Sequence, residues 1–211
     1  MESKTALIEL HYLPSLEYFS ALLNFESIQL EQHEHYVKQS YRNRCYINTA
    51  RGIEMLTVPL TNKHGKVAIK DVKIDNSLKW QSNHWRTIES AYRKAPYFEY
   101  YADELKKIIY SNYVHLFDLS FDLLSFCLKN IAFNPKISVS VAYDKSLGSR
   151  YHDLRSVIQA KIPYSGRSYY LPISYYQVFG NQFAPNLSLI DILFCEGPRT
   201  GSLLLASRNK G

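Results

Sequence analysis

The chain has 211 residues, of which 46% are hydrophobic and 21% charged, a balance that allows a buried core and excludes wholesale disorder. Its formal charge of +6 comes from 25 Lys and Arg against 19 Asp and Glu, and it is spread along the chain without a polybasic block. The excess favours an anionic partner, such as a phosphate, a nucleotide sugar or a nucleic acid.

Cysteine usage and hydropathy indicate a protein of a reducing compartment. The chain has three widely spaced cysteines, Cys45, Cys127 and Cys195, with no CxxC pair. The apolar stretch near the start is too short for a signal peptide, and charged residues interrupt the most apolar long segment, 116–133. We therefore expect a soluble, cytoplasmic protein with no membrane span.

The N-terminal part predicts a βαβ unit. TALIEL (5–10) is typical of a buried strand, PSLEYFSALLNF (14–25) of a helix opened by Pro14, and SIQLEQ (27–32) of a second strand. This order requires a right-handed crossover and a parallel pair. Because ligands of open α/β sheets bind beyond the carboxyl ends of strands, the loop at 9–14 is a candidate edge of a binding site.

Residues 44–75 predict a β-hairpin and a further strand. RCYINTARGIEMLTVPL (44–60) contains two strand-forming runs around an Ala-Arg-Gly turn, in which Gly52 supplies a positive φ. After an Asn-Lys-His-Gly turn at 62–65, KVAIKDVKID (66–75) alternates as another strand.

The rest of the chain is mainly helical in pattern. We expect a helix over about 83–94, with Ser82 as N-cap and Pro96 beyond its end, followed by helices near 99–110 and 115–131. A strand at 136–143 and an irregular segment at 144–175 come next. The chain then forms a helix at 186–194, stopped by Gly197-Pro198, and a frayed tail at 207–211. The elements predict one domain over 1–206 of the α/β class, with a mixed, partly parallel sheet, an N-terminal βαβ unit, a β-hairpin and flanking helices. An α+β fold is the alternative.

His84 lies on the apolar arc of the helix at 83–94, together with Ile88 and Tyr92. It therefore points towards the core or a cleft. One interpretation is a core histidine satisfied by a carbonyl or carboxylate. The other is a general base or ligand-orienting group whose pKa is tuned by partial burial.

A basic stretch, YVKQSYRNRCYI (36–47), contains Lys38, Arg42, Asn43 and Arg44. Strand alternation would place Arg42 and Arg44 on one face, where two forked guanidiniums can hold a phosphate or carboxylate, with Asn43 facing the other way. A solvated strand edge is the alternative.

Other chemical signatures are sparse. His33 and His35 have strand spacing next to Glu31, but a third metal ligand at readable spacing is missing, so we predict no metal. The eight glycines form neither GxGxxG nor GxxxxGK[ST], no GxSxG elbow occurs, and we predict no cofactor. His11 follows the first strand and can pair with a site carboxylate such as Glu9, or serve at the surface or as a cap.

Several of these stretches together resemble the WbqC-like protein family over about residues 6–205. They are LPSLEYFSAL (13–22), YVKQSYRNRC (36–45), LTVPL (56–60), the four-residue spacing of Trp80, His84, Ile88 and Tyr92 ahead of APYF (95–98), and NLSLIDILFCEGP (186–198). The resemblance implies a place in bacterial surface-polysaccharide (O-antigen) gene clusters, and a glycine transferase role suggested from that context.

Some positions depart from the family's pattern. Many members resemble Gln-Pro-x-x-x-Pro near the first strand, and here Glu9 and Leu10 take the first two of those positions. Glu17 stands at a position that is usually glycine. Gln32 and His33 stand where an acidic pair often follows the second strand. If those acids bind metal or act as bases elsewhere in the family, this member has an altered or lost function. The Arg42-Asn43-Arg44 and His84 positions are retained.

The first functional hypothesis is an enzyme that transfers a small acyl or aminoacyl group, such as glycine, to an amino sugar. His84 would take the proton of the attacking group, and Arg42 and Arg44 would hold an anion, with His11 and Lys38 nearby. Tyr92 and Asn43 would orient the substrate.

Two other classes remain open. One is a non-catalytic protein that binds a nucleotide sugar or glycan. The other, nucleic-acid binding, is motivated by the positive charge and the tyrosines, and it predicts a steep loss of affinity with salt.

Overall fold

The computed structural model describes residues 5–61 and 65–209, and a parallel four-stranded sheet lies at its centre. The expected turn at 62–65 lies largely outside these residues. The strands are β1 (Thr5–Glu9), β2 (Ser27–Glu31), β3 (Arg44–Thr49), β4 (Gly52–Thr57), β5 (Lys136–Val139) and β6 (Tyr151–Asp153). The sheet has the order β5-β2-β1-β6, and each neighbouring pair is parallel.

The predicted βαβ unit is confirmed. Helix α1 (Leu16–Leu22) connects β1 to β2, and the register pairs Thr5 with Ser27 and Glu9 with Glu31. The residues of β1 and β2 that face the core, Ala6, Ile8, Ile28 and Leu30, are completely buried. The register brings two carboxylates side by side at the carboxyl end of the sheet.

The predicted hairpin is also confirmed, and it forms a second, two-stranded antiparallel sheet. In the register of β3 and β4, Arg44 lies opposite Thr57 and Thr49 lies opposite Gly52, which has a φ of +101°. Alternate residues Cys45, Ile47 and Leu56 are buried against the helices. The α/β class, with a parallel sheet, a hairpin and flanking helices, is therefore confirmed.

The remaining helices are α2 (Trp80–Tyr92), α3 (Phe98–Tyr110), α4 (Leu116–Asn130), α5 (Leu189–Glu196) and α6 (Thr200–Ser207). α2 begins at Trp80 after the cap residue Lys79, so the expected cap at Ser82 is wrong. The reason is that Trp80 belongs to the same buried arc as His84 and Ile88, at a spacing of four residues. No helix within the described ranges is long and apolar enough to cross a membrane.

Three other expectations need correction. Residues 66–75 form a short 3-10 turn (Ile69–Asp71) instead of a strand, because the amides of Ile69 and Lys70 donate to the carbonyls of Glu34 and Gln32. The strand expected at 136–143 ends at Val139. The segment 144–175 is mostly irregular, but it contains β6, which pairs with β1.

The end of the described chain is attached to α1. The Ser207 hydroxyl lies 3.0 Å from the Ser20 hydroxyl, and Arg208 donates to the Leu23 carbonyl at 2.9 Å. The expected fraying of the tail therefore does not apply at these two positions, and residues 210–211 lie outside the described range. Gly197 ends α5 with a φ of +55°, as predicted, but α6 follows it.

Candidate functional site

Polar side chains gather at the carboxyl end of the parallel sheet. Glu9 ends β1, Glu31 ends β2, Asp153 ends β6, and Ser140 follows β5. In open α/β sheets this edge is where ligands bind. Glu9 and Glu31 are each only 1% exposed, so both carboxylates need partners inside the protein.

Arg42 is the centre of the first group of partners. Its Nε and Nη2 atoms donate to the two carboxylate oxygens of Glu34 at 2.6 and 2.7 Å, and Nη2 lies 3.2 Å from Glu9 Oε1. The Ser156 amide donates to the other oxygen of Glu9 at 2.9 Å. His11 Nε2 lies 3.4 Å from Glu9 Oε1.

These contacts separate the acidities of the two carboxyl groups. Burial raises the pKa of Glu9, but His11, Arg42 and the Ser156 amide outweigh it and hold that pKa at about 2. Burial, together with the charges of Glu9 and Glu31, raises the pKa of Glu34 despite the hydrogen bonds from Arg42. Glu34 is therefore the carboxyl group of this pair that takes up a proton first.

Glu31 has a second set of partners. Its Oε1 accepts hydrogen bonds from the His33 amide at 2.7 Å and the Ser140 hydroxyl at 2.8 Å, and Arg155 Nη1 lies 3.5 Å from Oε2. Arg155 also makes a forked pair with Asp153, with both distances at 2.8 Å. The two arginines thus connect the ends of three strands.

A pocket opens beside Arg42. It has a volume of about 170 Å³ and is lined by residues 37–40, Arg42, Ser156 and residues 158–161. Lys38 and Lys161 are exposed at its border. Gln39 and Ser156 both have a φ of +56°, a conformation that non-glycine residues adopt at a cost and that clusters at binding sites. We call this cavity the edge pocket.

Arg42 keeps donor capacity for a ligand. Its Nη1 donates no hydrogen bond to any residue in the described part of the chain, whereas Nε and Nη2 are engaged by carboxylates. The neighbouring carboxylates raise the pKa of Arg42 in spite of burial, so the guanidinium stays charged. The edge pocket is therefore lined by a guanidinium that stays charged in a largely desolvated position, with the carboxylates of Glu34 and Glu9 against its other nitrogens.

His11 is buried under aromatic rings. It lies 4.7 Å from the ring of Tyr18 and 5.3 Å from that of Tyr41, and it is 1% exposed. Its Nδ1 atom has no hydrogen-bond partner among the residues that the structure describes. Burial lowers the pKa of His11, although Glu9 opposes this, so the neutral ring can present a lone pair on Nδ1.

His84 belongs to a different group. Its Nδ1 lies 2.8 Å from the Tyr12 hydroxyl and its Nε2 lies 3.2 Å from the Thr57 carbonyl oxygen. The ring is 5% exposed and packs edge-on against Trp80. Burial lowers the pKa of His84 to about 4. This environment favours the core interpretation over the catalytic one.

The other predicted residues are also dispersed. Asn43 accepts a hydrogen bond from Tyr36 and donates to the Val58 carbonyl, and Arg44 contacts the Met55 sulfur at 3.5 Å. Arg42 precedes β3 and is paired with Glu34, so the expected pair of guanidiniums on one strand face does not form.

Tyr92 is 1% exposed and donates to Asp191 at 2.7 Å. Its hydroxyl also accepts the amide of Asn48 at 3.2 Å, so its hydrogen bonds are made inside the fold. The structure thus brings Arg42 and Lys38 to the edge pocket and leaves His11 buried against Glu9, which Arg42 also contacts, and it places His84, Asn43, Arg44 and Tyr92 in other surroundings.

Sequence reasoning missed several of the site's charged residues. The pattern pointed to the loop at 9–14 and therefore to Glu9, but the roles of Glu34 and Arg155 had no readable signal. Arg155 lies in the segment without periodicity, and only β6 brings it to the sheet edge. Within residues 5–61 and 65–209, no group of three His, Cys, Asp or Glu side chains is arranged to hold a metal ion.

The parallel sheet and the charged groups at its carboxyl edge define an α/β protein whose site lies where this class binds ligands. A model of the WbqC-like protein family matches residues 10–170. The chain therefore belongs to the WbqC-like protein family. One relative is an uncharacterised protein of Mycobacterium tuberculosis, 26% identical over 221 residues, which covers 92% of this chain and 94% of the relative. No solved structure matches the chain significantly.

Proposed function

We propose that this chain acts in the synthesis of a bacterial surface polysaccharide (O-antigen) or another glycoconjugate, and that its edge pocket binds the anionic group of a small-molecule substrate. The observation that carries the proposal is the free Nη1 of Arg42 in a pocket bordered by Lys38 and Lys161. A charged donor in a desolvated position binds a phosphate or carboxylate more strongly than one in open water.

The size of the pocket defines which part of a substrate it takes. Its volume of about 170 Å³ is smaller than the roughly 300–1,000 Å³ of sites that enclose a whole ligand. We therefore assign to it a head group, such as a phosphate of a sugar nucleotide or a sugar phosphate. The rest of the substrate would extend beyond the pocket.

The reaction that we propose is transfer of a small acyl or aminoacyl group, such as glycine, to an amino sugar. The amine nitrogen attacks the acyl carbonyl carbon, a C–N bond forms, and the bond from that carbon to the leaving group of an activated ester or thioester breaks. A base takes the proton of the amine. Both ring nitrogens of His84 are occupied, whereas Nδ1 of His11 is free and Glu9 orients the ring, so His11 is the better supported base.

The second candidate function is binding without turnover. It is favoured by the burial of both histidines, since the rings of Tyr18 and Tyr41 lie against His11 and leave it 1% exposed. Incubation with an amino sugar and an activated glycine ester, followed by mass spectrometry, separates the two. A glycyl product that falls about 10²–10⁴-fold in His11→Ala supports transfer; binding with no product supports the second candidate.

The binding proposal is tested with glucosamine 1-phosphate and calorimetry. We expect the double variant Lys38→Ala/Lys161→Ala to bind it about tenfold more weakly, because each ionised hydrogen bond contributes about 1.5–3 kcal/mol before solvent screening. Lys107→Ala, an equally exposed lysine on α3, is the control and should bind like the wild type. Equal affinity in the double variant would exclude the edge pocket.

A further inference from the structure

A second cavity system lies on the outer face of α2. One cavity of about 420 Å³ is bordered by α2, residues 93–94 and Phe179, and another of about 260 Å³ is bordered by α2 and the tip of the β3–β4 hairpin. Arg86, Ser90 and Ala91 line both cavities, so they form one continuous groove. We call it the α2 groove.

The groove carries an excess of unpaired positive charge. Its cations are Arg51, Arg86, Arg93 and Lys94, and its acids are Glu54 and Glu89. Within the described ranges, none of these four cations forms an ion pair with a carboxylate. A fold that leaves four cations facing one concavity attracts anions there.

The spacing of the two arginines on the helix suits an extended anion. Arg86 and Arg93 are seven residues apart, so they lie on the same face about 10 Å from one another along the axis. Ser90 lies between them and adds a hydroxyl donor. Two forked guanidiniums at this distance can hold two neighbouring phosphates, or a phosphate and the group beyond it.

The wall opposite α2 includes an aromatic residue, Phe179, whose backbone is held by a hydrogen bond. The Phe179 carbonyl accepts a hydrogen bond from the Asn48 side chain at 2.7 Å, and the Asn48 amide donates to the Tyr92 hydroxyl on α2. Gly180 follows with a φ of +95°, which fixes the turn after Phe179. The half-buried ring offers a stacking partner for a planar base.

We propose that the α2 groove binds a nucleoside diphosphate. The arginines and Lys94 bind the phosphates, Phe179 stacks on the base, and Glu54 or Glu89 accepts hydrogen bonds from the ribose hydroxyls. The groove is large enough for a nucleotide, unlike the edge pocket. No described residue lines both the α2 groove and the edge pocket, so this site stands independently of the function proposed above.

The proposal is tested by calorimetric titration of the full chain with UDP. We expect Arg86→Glu and Arg93→Glu each to weaken binding at least tenfold, and Phe179→Ala to weaken UDP binding about fivefold or more while leaving the affinity for pyrophosphate unchanged. Lys107→Glu on α3 is the matched charge reversal and should bind UDP like the wild type. Thermal melting of the two arginine variants should match the wild type, because the replaced arginines are exposed.

Three results would overturn it. The first is that Arg86→Glu and Arg93→Glu bind UDP with the same affinity as Lys107→Glu. The second is that Lys38→Ala/Lys161→Ala loses UDP binding instead. The third is that a short single-stranded oligonucleotide displaces UDP at a concentration far below that of UDP itself. The second result would leave the edge pocket intact as a binding site and remove only the groove. The third would assign the groove to nucleic acid.

Discussion

His84 connects two parts of the core through its ring nitrogens. The Tyr12 hydroxyl donates to Nδ1, and Nε2–H donates to the Thr57 carbonyl, an arrangement that requires the neutral ring with its proton on Nε2. A second proton on the ring would remove the acceptor that Tyr12 uses. Protonation of His84 in acid therefore lowers the stability of the fold, whether or not the residue also takes part in catalysis.

We predict that His84 makes the fold less stable as the pH falls from about 6.5 towards 4. The ring has a pKa of about 4 in the fold and an ordinary value of 6.5 in the unfolded chain, so between these values the unfolded state binds more protons and the free energy of unfolding decreases. Urea unfolding at pH 7 and pH 5 should show the wild type losing about 2 kcal/mol more than His84→Gln.

The exposed His35 provides the control. His35→Gln should follow the wild type at both pH values, and His11 is present in every variant, so its contribution cancels. If the wild type and His84→Gln lose the same free energy, the ring is not held neutral by the core. If His84→Gln is stable but loses transfer activity 10²–10⁴-fold, His84 is the catalytic base after all.

At the scale of elements, strong periodic patterns were predictive and short segments were not. β1, β2, the hairpin and the helices α3 and α4 follow from apolar spacing and turn residues. β6 has three residues, and its position depends on pairing with β1, which no local pattern encodes. The segment at 66–75 alternates like a strand, but its amides are used by residues 32–34.

At the end of α4, Ala132 adopts a left-handed backbone conformation that alanine disfavours. The Phe133 amide donates to the Leu128 carbonyl at 3.1 Å and the Ala132 amide to the Lys129 carbonyl at 3.2 Å, a Schellman motif in which Ala132 takes a φ of +54°. Glycine is the residue that adopts this conformation without steric cost. Ala132 is exposed, so its methyl group contributes no packing in return.

We predict that Ala132→Gly stabilises the fold by about 0.5–1 kcal/mol, because it removes the strain of the left-handed conformation. The melting temperature should rise by roughly 1–4 °C for a chain of this length. Ala206→Gly is the matched control: it makes the same chemical change at an exposed position inside α6, where it should lower stability by about 0.5–1 kcal/mol. Shifts of the same sign in both variants would contradict the assignment.

At the scale of the whole molecule, buried acids connect distant parts of the chain. Glu9, Glu17, Glu31, Glu34 and Asp191 are all at most 7% exposed. Asp191 accepts hydrogen bonds from Tyr92, Tyr175 and Gln177 and forms no ion pair with a described residue, and burial raises its pKa. Glu34 is paired with Arg42, eight residues away, whereas the other four acids depend on partners from another part of the chain.

This dependence sets how much of the site the sequence could predict. The carboxyl edge of β1 was predictable, because a βαβ pattern defines where such an edge lies. The partner of a buried acid was not, since Glu17 and Arg167 are 150 positions apart and only the tertiary fold brings them together. His84 and Tyr92 drew notice by their spacing, but spacing alone does not distinguish a satisfied core group from a reactive one.

The pair of Glu17 and Arg167 connects α1 to the irregular segment at 144–175. Arg167 donates to both carboxylate oxygens, at 2.6 and 2.7 Å, and Asn186 donates to Glu17 Oε2 at 3.2 Å. Glu17 is 0% exposed and the Arg167 side chain 8% exposed. The negative charge of Glu17 is therefore compensated mainly by Arg167.

We predict that Arg167→Ala costs about 3–5 kcal/mol, because it leaves a carboxylate buried without its cation. Glu17→Ala should cost less, since the guanidinium near the surface can turn to water, and the double variant should cost no more than Arg167→Ala alone. Urea unfolding measures all three. Arg199→Ala removes a similar contact, 3.0 Å from Glu196, but Arg199 is 70% exposed, so its loss should stay below about 1 kcal/mol. Additive costs in the double variant would mean that the two side chains stabilise the fold separately and that their ion pair contributes nothing of its own.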